Sequence, residues 1–246
     1  MILPTRCLLF QNEPAEVYKS DRRSRVWRID RTVEQGGPVV VKRFDYTPWR
    51  QLLAWLIGLH PAQRERRSNW RLRQAGLPVV PITAHGTVDL SWLGCRLWLA
   101  CPYAGRSLQD LIRRGQLSDR NRRLTVLRTA AHLTIDLIRH RYYFRDLKPS
   151  NILIDAADRA WLIDVGAVRR SQRPIHVLKM LALLRRKARQ DGVGRSDQLR
   201  FLRIILDQYP YAGGVKAIVS QIDRLAGQSN DTPEQPAQID GSRTDQ

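Results

Sequence analysis

The chain is expected to fold as an α+β protein in two unequal parts, and three observations predict it. Runs of β-branched and aromatic residues crowd the first hundred positions, arginine-rich helical segments dominate the rest, and the change of character falls near Pro102. With 246 residues there is room for one two-part domain with a sizeable core. The expected division is residues 1–101 for a sheet with one packed helix, 102–226 for a mainly helical part, and 227–246 for a polar, net acidic tail too poor in apolar residues to fold.

Taken in order, Glu16-Val17-Tyr18-Lys19 and Val26-Trp27-Arg28-Ile29 flank a short polar loop. The pair Gly36-Gly37 then makes a turn into the β-branched run Val39–Phe44, which gives an antiparallel meander. An apolar segment, Trp49–Leu59, is expected to be helical. Pro61 opens a basic helix that ends at Gln74, before Gly76 and Pro78. A second strand pair is expected at Ile82–Thr87 and Arg96–Cys101, followed by helices at Ser107–Arg114, Asp119–His140, Pro174–Arg189 and Ser196–Gln208.

The net charge of +19 comes from arginine spread along the chain, and such a field attracts polyanions: nucleic acid, an anionic membrane face or a phosphorylated glycan. No zinc-finger, stacking-aromatic or recognition-helix pattern accompanies it, so specific nucleic-acid binding is not expected. Three cysteines, Cys7, Cys95 and Cys101, form no C-x-x-C pair, and their odd number argues against a disulfide framework or a zinc site. No secretory leader or spanning apolar run is read in the sequence, and a cytoplasmic location is the expectation.

The chemistry is concentrated in Phe144-Arg145-Asp146-Leu147-Lys148-Pro149-Ser150-Asn151, followed by Ile152–Asp155, a turn, and Trp161-Leu162-Ile163-Asp164-Val165-Gly166. Phosphoryl transfer requires a carboxylate to orient the attacking hydroxyl and accept its proton, oxygen ligands for Mg²⁺, and cations to offset charge on the group in flight. All three residue types lie here at short spacing. A β-hairpin accounts for the spacing: a loop carrying Asp146, Lys148 and Asn151 feeds one strand, and the returning strand delivers Asp164 beside Asn151. An Asn amide oxygen and an Asp carboxylate are the hard ligands that Mg²⁺ prefers. Gly166 is expected to let the backbone turn sharply.

The order and spacing of these motifs resemble the catalytic loop and metal-binding Asp-x-Gly of the protein-kinase superfamily. The resemblance implies a two-lobed fold: a small antiparallel sheet with one helix, and a mainly helical larger lobe. It implies ATP and Mg²⁺ as cofactors, Asp146 as catalytic base with Lys148 beside it, and Asn151 and Asp164 as metal ligands. It also implies that Lys42 binds the α- and β-phosphates and is held by Glu65, the only carboxylate in the helix of residues 61–74. By the same resemblance, the adenine ring meets the carbonyl of Cys101 and the amide of Tyr103.

Four features depart from the usual protein kinase. The loop Lys19–Ser24 has no glycine, Phe144 stands where a histidine commonly precedes Arg-Asp, the segment after Asp164 is short and lacks Ala-Pro-Glu, and the helix Pro174–Arg189 has no acidic residue to anchor the catalytic loop. Together with the basic helix around Glu65, the phrase Gln74-Ala75-Gly76-Leu77-Pro78, and Arg195–Arg203, the pattern over roughly residues 16–210 is similar to the bacterial Kdo/heptose lipopolysaccharide kinase family. That resemblance implies a sugar hydroxyl of the lipopolysaccharide core as acceptor, an anionic glycolipid as partner, and a peripheral position at the inner face of the inner membrane. There the segment Trp49–Leu59, with Trp49 and Trp55, is expected either to touch the membrane or to pack on its own lobe. Two other readings stand beside this one: a protein Ser/Thr kinase, and a pseudokinase that binds nucleotide or a partner without transfer.

Overall fold

The computed structural model describes residues 14–21, 24–30, 36–45, 53–91, 94–209 and 214–227. The protein is α+β. Strands β1 (Glu16–Ser20), β2 (Ser24–Ile29), β3 (Val39–Phe44), β4 (Ala84–Ser91) and β5 (Gly94–Pro102) form a five-stranded sheet in the order β1-β2-β3-β5-β4. All its pairings are antiparallel, and β3 lies in the middle, with Val26 and Leu99 facing Lys42 on either side. Alternation along the strands divides the apolar side chains between two faces. Trp27, Ile29, Val41, Trp98 and Ala100 make one cluster; Phe44, Leu97 and Leu99 make the other, which receives Ala62 from helix α1 (Pro61–Gln74).

Helix α1 begins where the sequence predicts. Pro61 supplies a helical φ without a wasted N–H, and His60 caps the helix by accepting a hydrogen bond from Ala62 N–H at Nδ1, 3.1 Å. Its buried face carries Ala62, Glu65, Asn69 and Leu72. The Asn69 amide donates to Val80 O at 2.7 Å and accepts from Ile82 N–H, which ties the helix to the chain leading into β4.

The second part contains β6 (Arg106–Ser107), α2 (Leu108–Arg113), α3 (Arg120–Arg139), β7 (Tyr142–Phe144), β8 (Ile152–Ile154), β9 (Ala160–Leu162), β10 (Val168–Arg170), α4 (Pro174–Gln190), α5 (Arg195–Gln208) and α6 (Gly214–Gly227). Strands β6, β8 and β9 form one small sheet, and β7 pairs with β10. The largest core is here: α3 contributes Val126, Ile135 and Leu137, α4 contributes Met180 and Leu181, and the loop and hairpin between them contribute Leu147, Ile152 and Leu162. Leu72, Leu77 and Val79 join this core from α1 and the segment after it, which also hydrogen-bonds to β9 through Leu162. Gly105, at φ +124°, allows β6 to lie against Ile154, since a Cβ at this position would collide with the Ile154 carbonyl.

Helix α6 was not anticipated. Its buried residues Ile218, Ile222 and Ala226 follow a four-residue spacing that the sequence displays, and it packs on α4. Of the expected tail, residues 227–246, Gly227 is the last residue of α6 and the rest lies outside the described residues. No helix among the described residues is long and apolar enough to cross a membrane.

Candidate active site

Three elements bring charged residues singled out in the sequence together. Lys42 projects from β3, Glu65 from the buried face of α1, and Asp164 follows β9. Lys42 Nζ bonds Glu65 Oε2 at 2.9 Å and Asp164 Oδ1 at 2.7 Å, so one ammonium bridges the sheet, the helix and the hairpin. The two carboxylates differ in environment: the Glu65 side chain is 11% exposed and that of Asp164 49%. Burial works against the charge on Lys42, but the two carboxylates outweigh it and its pKa is raised. Burial also raises the Glu65 carboxyl, against the pull of Lys42. Burial pushes Asp164 the same way, but there Lys42 prevails and the pKa is lowered, which keeps this carboxylate ionised.

The loop of residues 145–151 is closed by its own side chains. Asn151 Nδ2 donates to Asp146 O at 2.8 Å and to Asp146 Oδ2 at 3.2 Å, while Lys148 Nζ lies 3.0 Å from Asp146 Oδ2. Strand pairing then joins the two halves of the site. Ile152 faces Leu162, and Ile163 N–H donates to Asn151 O at 3.1 Å, which places Asp164 one residue beyond the partner of Asn151.

The backbone reversal expected at Gly166 occurs two residues earlier. Asp164 itself is left-handed, at φ 53° and ψ 41°, a conformation that Asp tolerates better than most residues but that is still strained. Gly166 sits in the turn Val165–Ala167 with Glu65 beside it, where an added Cβ would meet the Glu65 Cβ at 3.6 Å, an ordinary van der Waals contact. The packing of α1 against this turn carries Glu65 to Lys42.

Of the two backbone groups expected at the adenine edge, the Cys101 carbonyl and the Tyr103 amide, the second is engaged within the protein. Tyr103 N–H, expected to be offered to a ring, donates instead to Pro38 O at 2.9 Å. The cause is the β3–β5 ladder, which continues one step past the Val39–Pro102 pair, and Pro102 has no N–H of its own to contribute. The Arg28 guanidinium lies 5.3 Å from the centre of the Tyr103 ring. The Cys101 thiol donates to Val40 O at 3.7 Å, and burial, with Glu65 nearby, pushes its pKa up to about 12, so it is an unreactive packed thiol.

Two supporting residues were not foreseen. Met180 on α4 accepts a hydrogen bond from Phe144 N–H at its sulfur, 3.2 Å, and so ties the strand leading into the loop of Asp146 to a helix that has no acidic residue. His60, which starts α1, is fully buried, and burial lowers its pKa to about 4. Among the described residues no cluster of three or more His, Cys, Asp and Glu side chains is arranged as a metal cage. Asn151 and Asp164 nevertheless offer two hard oxygen donors, and Mg²⁺ sites commonly take only one or two protein ligands and fill the rest with phosphate and water.

No family model matches the chain, and no curated protein matches it.

Proposed function

We propose that the protein is an ATP- and Mg²⁺-dependent phosphotransferase with a two-lobed, protein-kinase-like architecture, acting on a sugar hydroxyl of the lipopolysaccharide core. The observation that carries the reading is the bridge from Lys42 to Glu65 and Asp164, adjoining the Asp146–Lys148–Asn151 group. Three charged side chains from three separate elements converge there, and stability alone does not require it, since a buried ion pair is weak evidence of stabilisation. Perturbed titratable groups in such a cluster are characteristic of reactive sites.

In the reaction, the acceptor oxygen forms a bond to the γ-phosphorus as the bond to the β–γ bridging oxygen breaks, and ADP leaves. Asp146 orients the hydroxyl and takes its proton. Lys42 neutralises the α- and β-phosphates, with Glu65 fixing its position, and Lys148 offsets charge on the transferring group. Asn151 and Asp164 would hold Mg²⁺, which supplies charge neutralisation along the phosphates. The short segment after Asp164 leaves little chain to cradle a peptide and favours a small or lipid-linked glycan. The reading of the protein as a pseudokinase that binds nucleotide or a partner without transfer draws on the glycine-free loop Lys19–Ser24, on Phe144 and on the absence of an acidic residue in the helix Pro174–Arg189.

The test is transfer from γ-labelled ATP with Mg²⁺ to dephosphorylated lipopolysaccharide core, with a generic basic protein as the second acceptor. Asp146→Ala should lower transfer by roughly 10²–10⁴-fold while leaving nucleotide affinity within a few-fold. Transfer only to protein would redirect the substrate assignment, and nucleotide binding with no transfer to either acceptor would favour the pseudokinase.

A further inference from the structure

The five-stranded sheet turns one side towards the site, the side on which Lys42 lies and on which Phe44 and Leu99 meet Ala62 of α1. Residues directly opposite one another in an antiparallel pair share a face. Val26 stands opposite Lys42, and Lys19 stands opposite Val26, so the two lysines are in register across three strands and share this side. Their backbones are about 10 Å apart, twice the spacing of neighbouring strands.

The position of Lys19 depends on an irregularity. Val17 pairs with Trp27, and an unbroken ladder would then set Tyr18 opposite Val26 and turn Lys19 to the far side with Arg25. A bulge at Tyr18 intervenes and moves Lys19 onto the side of Lys42. Bulges recur beside active sites because they re-aim a side chain. The turn beyond is held without glycine: Ser24 N–H donates to Asp21 Oδ1 at 2.7 Å, and Asp21 N–H donates to Ser24 O at 3.0 Å. Asp21 Oδ2 also lies 2.8 Å from Lys19 Nζ, with the two side chains 42% and 57% exposed. An exposed pair of this kind is weak, and a more highly charged anion can displace the carboxylate.

Asp164 registers the arrangement. Burial pushes its pKa up, Lys42 overcomes that, and Lys148 and Lys19 add to the lowering. Three ammonium groups, from β3, from the loop of Asp146 and from β1, therefore lie around the carboxylate assigned to Mg²⁺ and border the space of a metal-bound phosphate chain.

We propose that Lys19 is a nucleotide-binding residue whose ammonium exchanges Asp21 for the terminal phosphates of ATP. The proposal rests on the phosphotransferase reading and deepens it. The sheet then grips the phosphates with two side-chain cations, Lys42 and Lys19, where a glycine-rich loop would cover them with backbone. Lys19 lies opposite the elements that bear Asp146 and Lys148, so it acts on the binding of the phosphates and not on the bond that breaks.

The experiment is titration calorimetry of the full chain, with Mg²⁺, against the β,γ-imido analogue of ATP, ADP and adenosine. Lys19→Met should weaken the triphosphate analogue roughly tenfold, about the effect of one charge-assisted hydrogen bond, weaken ADP no more than that, and leave adenosine unchanged. The loss should shrink at high salt. In transfer assays KM for ATP should rise by the same factor with kcat little changed, and Lys19→Arg, which keeps the charge, should recover most of the affinity. Asp21→Asn keeps the oxygen that accepts from Ser24 N–H but releases Lys19, so it should bind the analogue at least as tightly as the wild type. A purely structural role for the Lys19–Asp21 pair requires both variants to lose affinity. Both positions are exposed, so melting temperatures should not fall. Unchanged affinity in Lys19→Met beside a loss in Lys42→Met would overturn this proposal and leave the phosphotransferase reading standing. So would an equal loss for adenosine, or an equal loss in Asp21→Asn. A wild type that binds none of the three ligands would overturn the phosphotransferase reading, and this proposal with it.

Discussion

Replacing Lys42 with Met should expose the electrostatic cost concealed at the centre of the site, and the cost should depend on pH in a particular direction. The ammonium is held between a well-buried Glu65 and a half-exposed Asp164. Loss of the exposed partnership is worth about 0–1 kcal/mol after solvent screening. Removing the partner of a buried charge costs about 3–5 kcal/mol, so the total is set by Glu65. A carboxyl already pushed up by burial can escape part of the penalty by taking a proton. Without Lys42 its folded-state pKa rises further above the ordinary value of 4.5. The variant therefore loses little below that value and progressively more as pH climbs through the folded pKa. At roughly 2–4 °C per kcal/mol for a chain of this size, the deficit at pH 8 should be about 10 °C in melting temperature. Adding Glu65→Gln removes the buried charge and should restore most of it, leaving a double variant within a few degrees of wild type and insensitive to pH. Thermal melts of the four proteins at pH 5 and pH 8 complete the cycle. A Lys42→Met deficit that is the same at both pH values, or a double variant no more stable than the single one, would refute the assignment of Glu65 as the buried charge that Lys42 balances.

Two further substitutions test the supports of the site. The fold holds His60 neutral, so as pH falls from 6.5 towards about 4 the unfolded chain binds a proton that the folded chain refuses, and stability falls; it is complete above this window and lost no further below it. The full loss is about 3 kcal/mol, and His60→Asn, which keeps a capping acceptor but does not titrate, should lack this part of the acid destabilisation when melts are compared across the window. Met180→Leu preserves volume but leaves Phe144 N–H without its sulfur partner, at a cost of roughly 1–3 kcal/mol. It should lower kcat with little change in KM for ATP, because it loosens the loop bearing Asp146 and not the elements bearing Lys42; an unchanged kcat would mean that the sulfur only fills space.

What the sequence disclosed and what it withheld follow from how far apart the contributing residues lie. Asp146, Lys148, Asn151 and Asp164 are set by a loop and a hairpin within nineteen positions, where strand geometry leaves few alternatives. The structure groups Asp146, Lys148 and Asn151, sets Asp164 one residue past the backbone partner of Asn151, and joins Asp164 through Lys42 to Glu65 across the sheet–helix junction. Tyr103 escaped because its amide partner, Pro38, is decided by where a long-range ladder stops, which no local pattern records. The placing of Arg169 and Arg170 opposite α1 escaped for a similar reason: the +19 charge announces many arginines, but only the pairing of β10 with β7 carries these two there. Met180 is the most instructive omission. In the helical repeat of α4 it reads as one more apolar core residue among Val177, Leu181 and Leu184, and the absence of an acidic residue reads as a missing anchor. Packing makes the two observations one, since Met180 is the residue of α4 whose side chain reaches Phe144 N–H. A thioether is a weak acceptor, so the loop that carries Asp146 is tied to α4 mainly by the burial of Phe144 and Leu147 and only weakly by polarity. It should consequently tolerate the loss of the hydrogen bond better than the loss of its apolar packing.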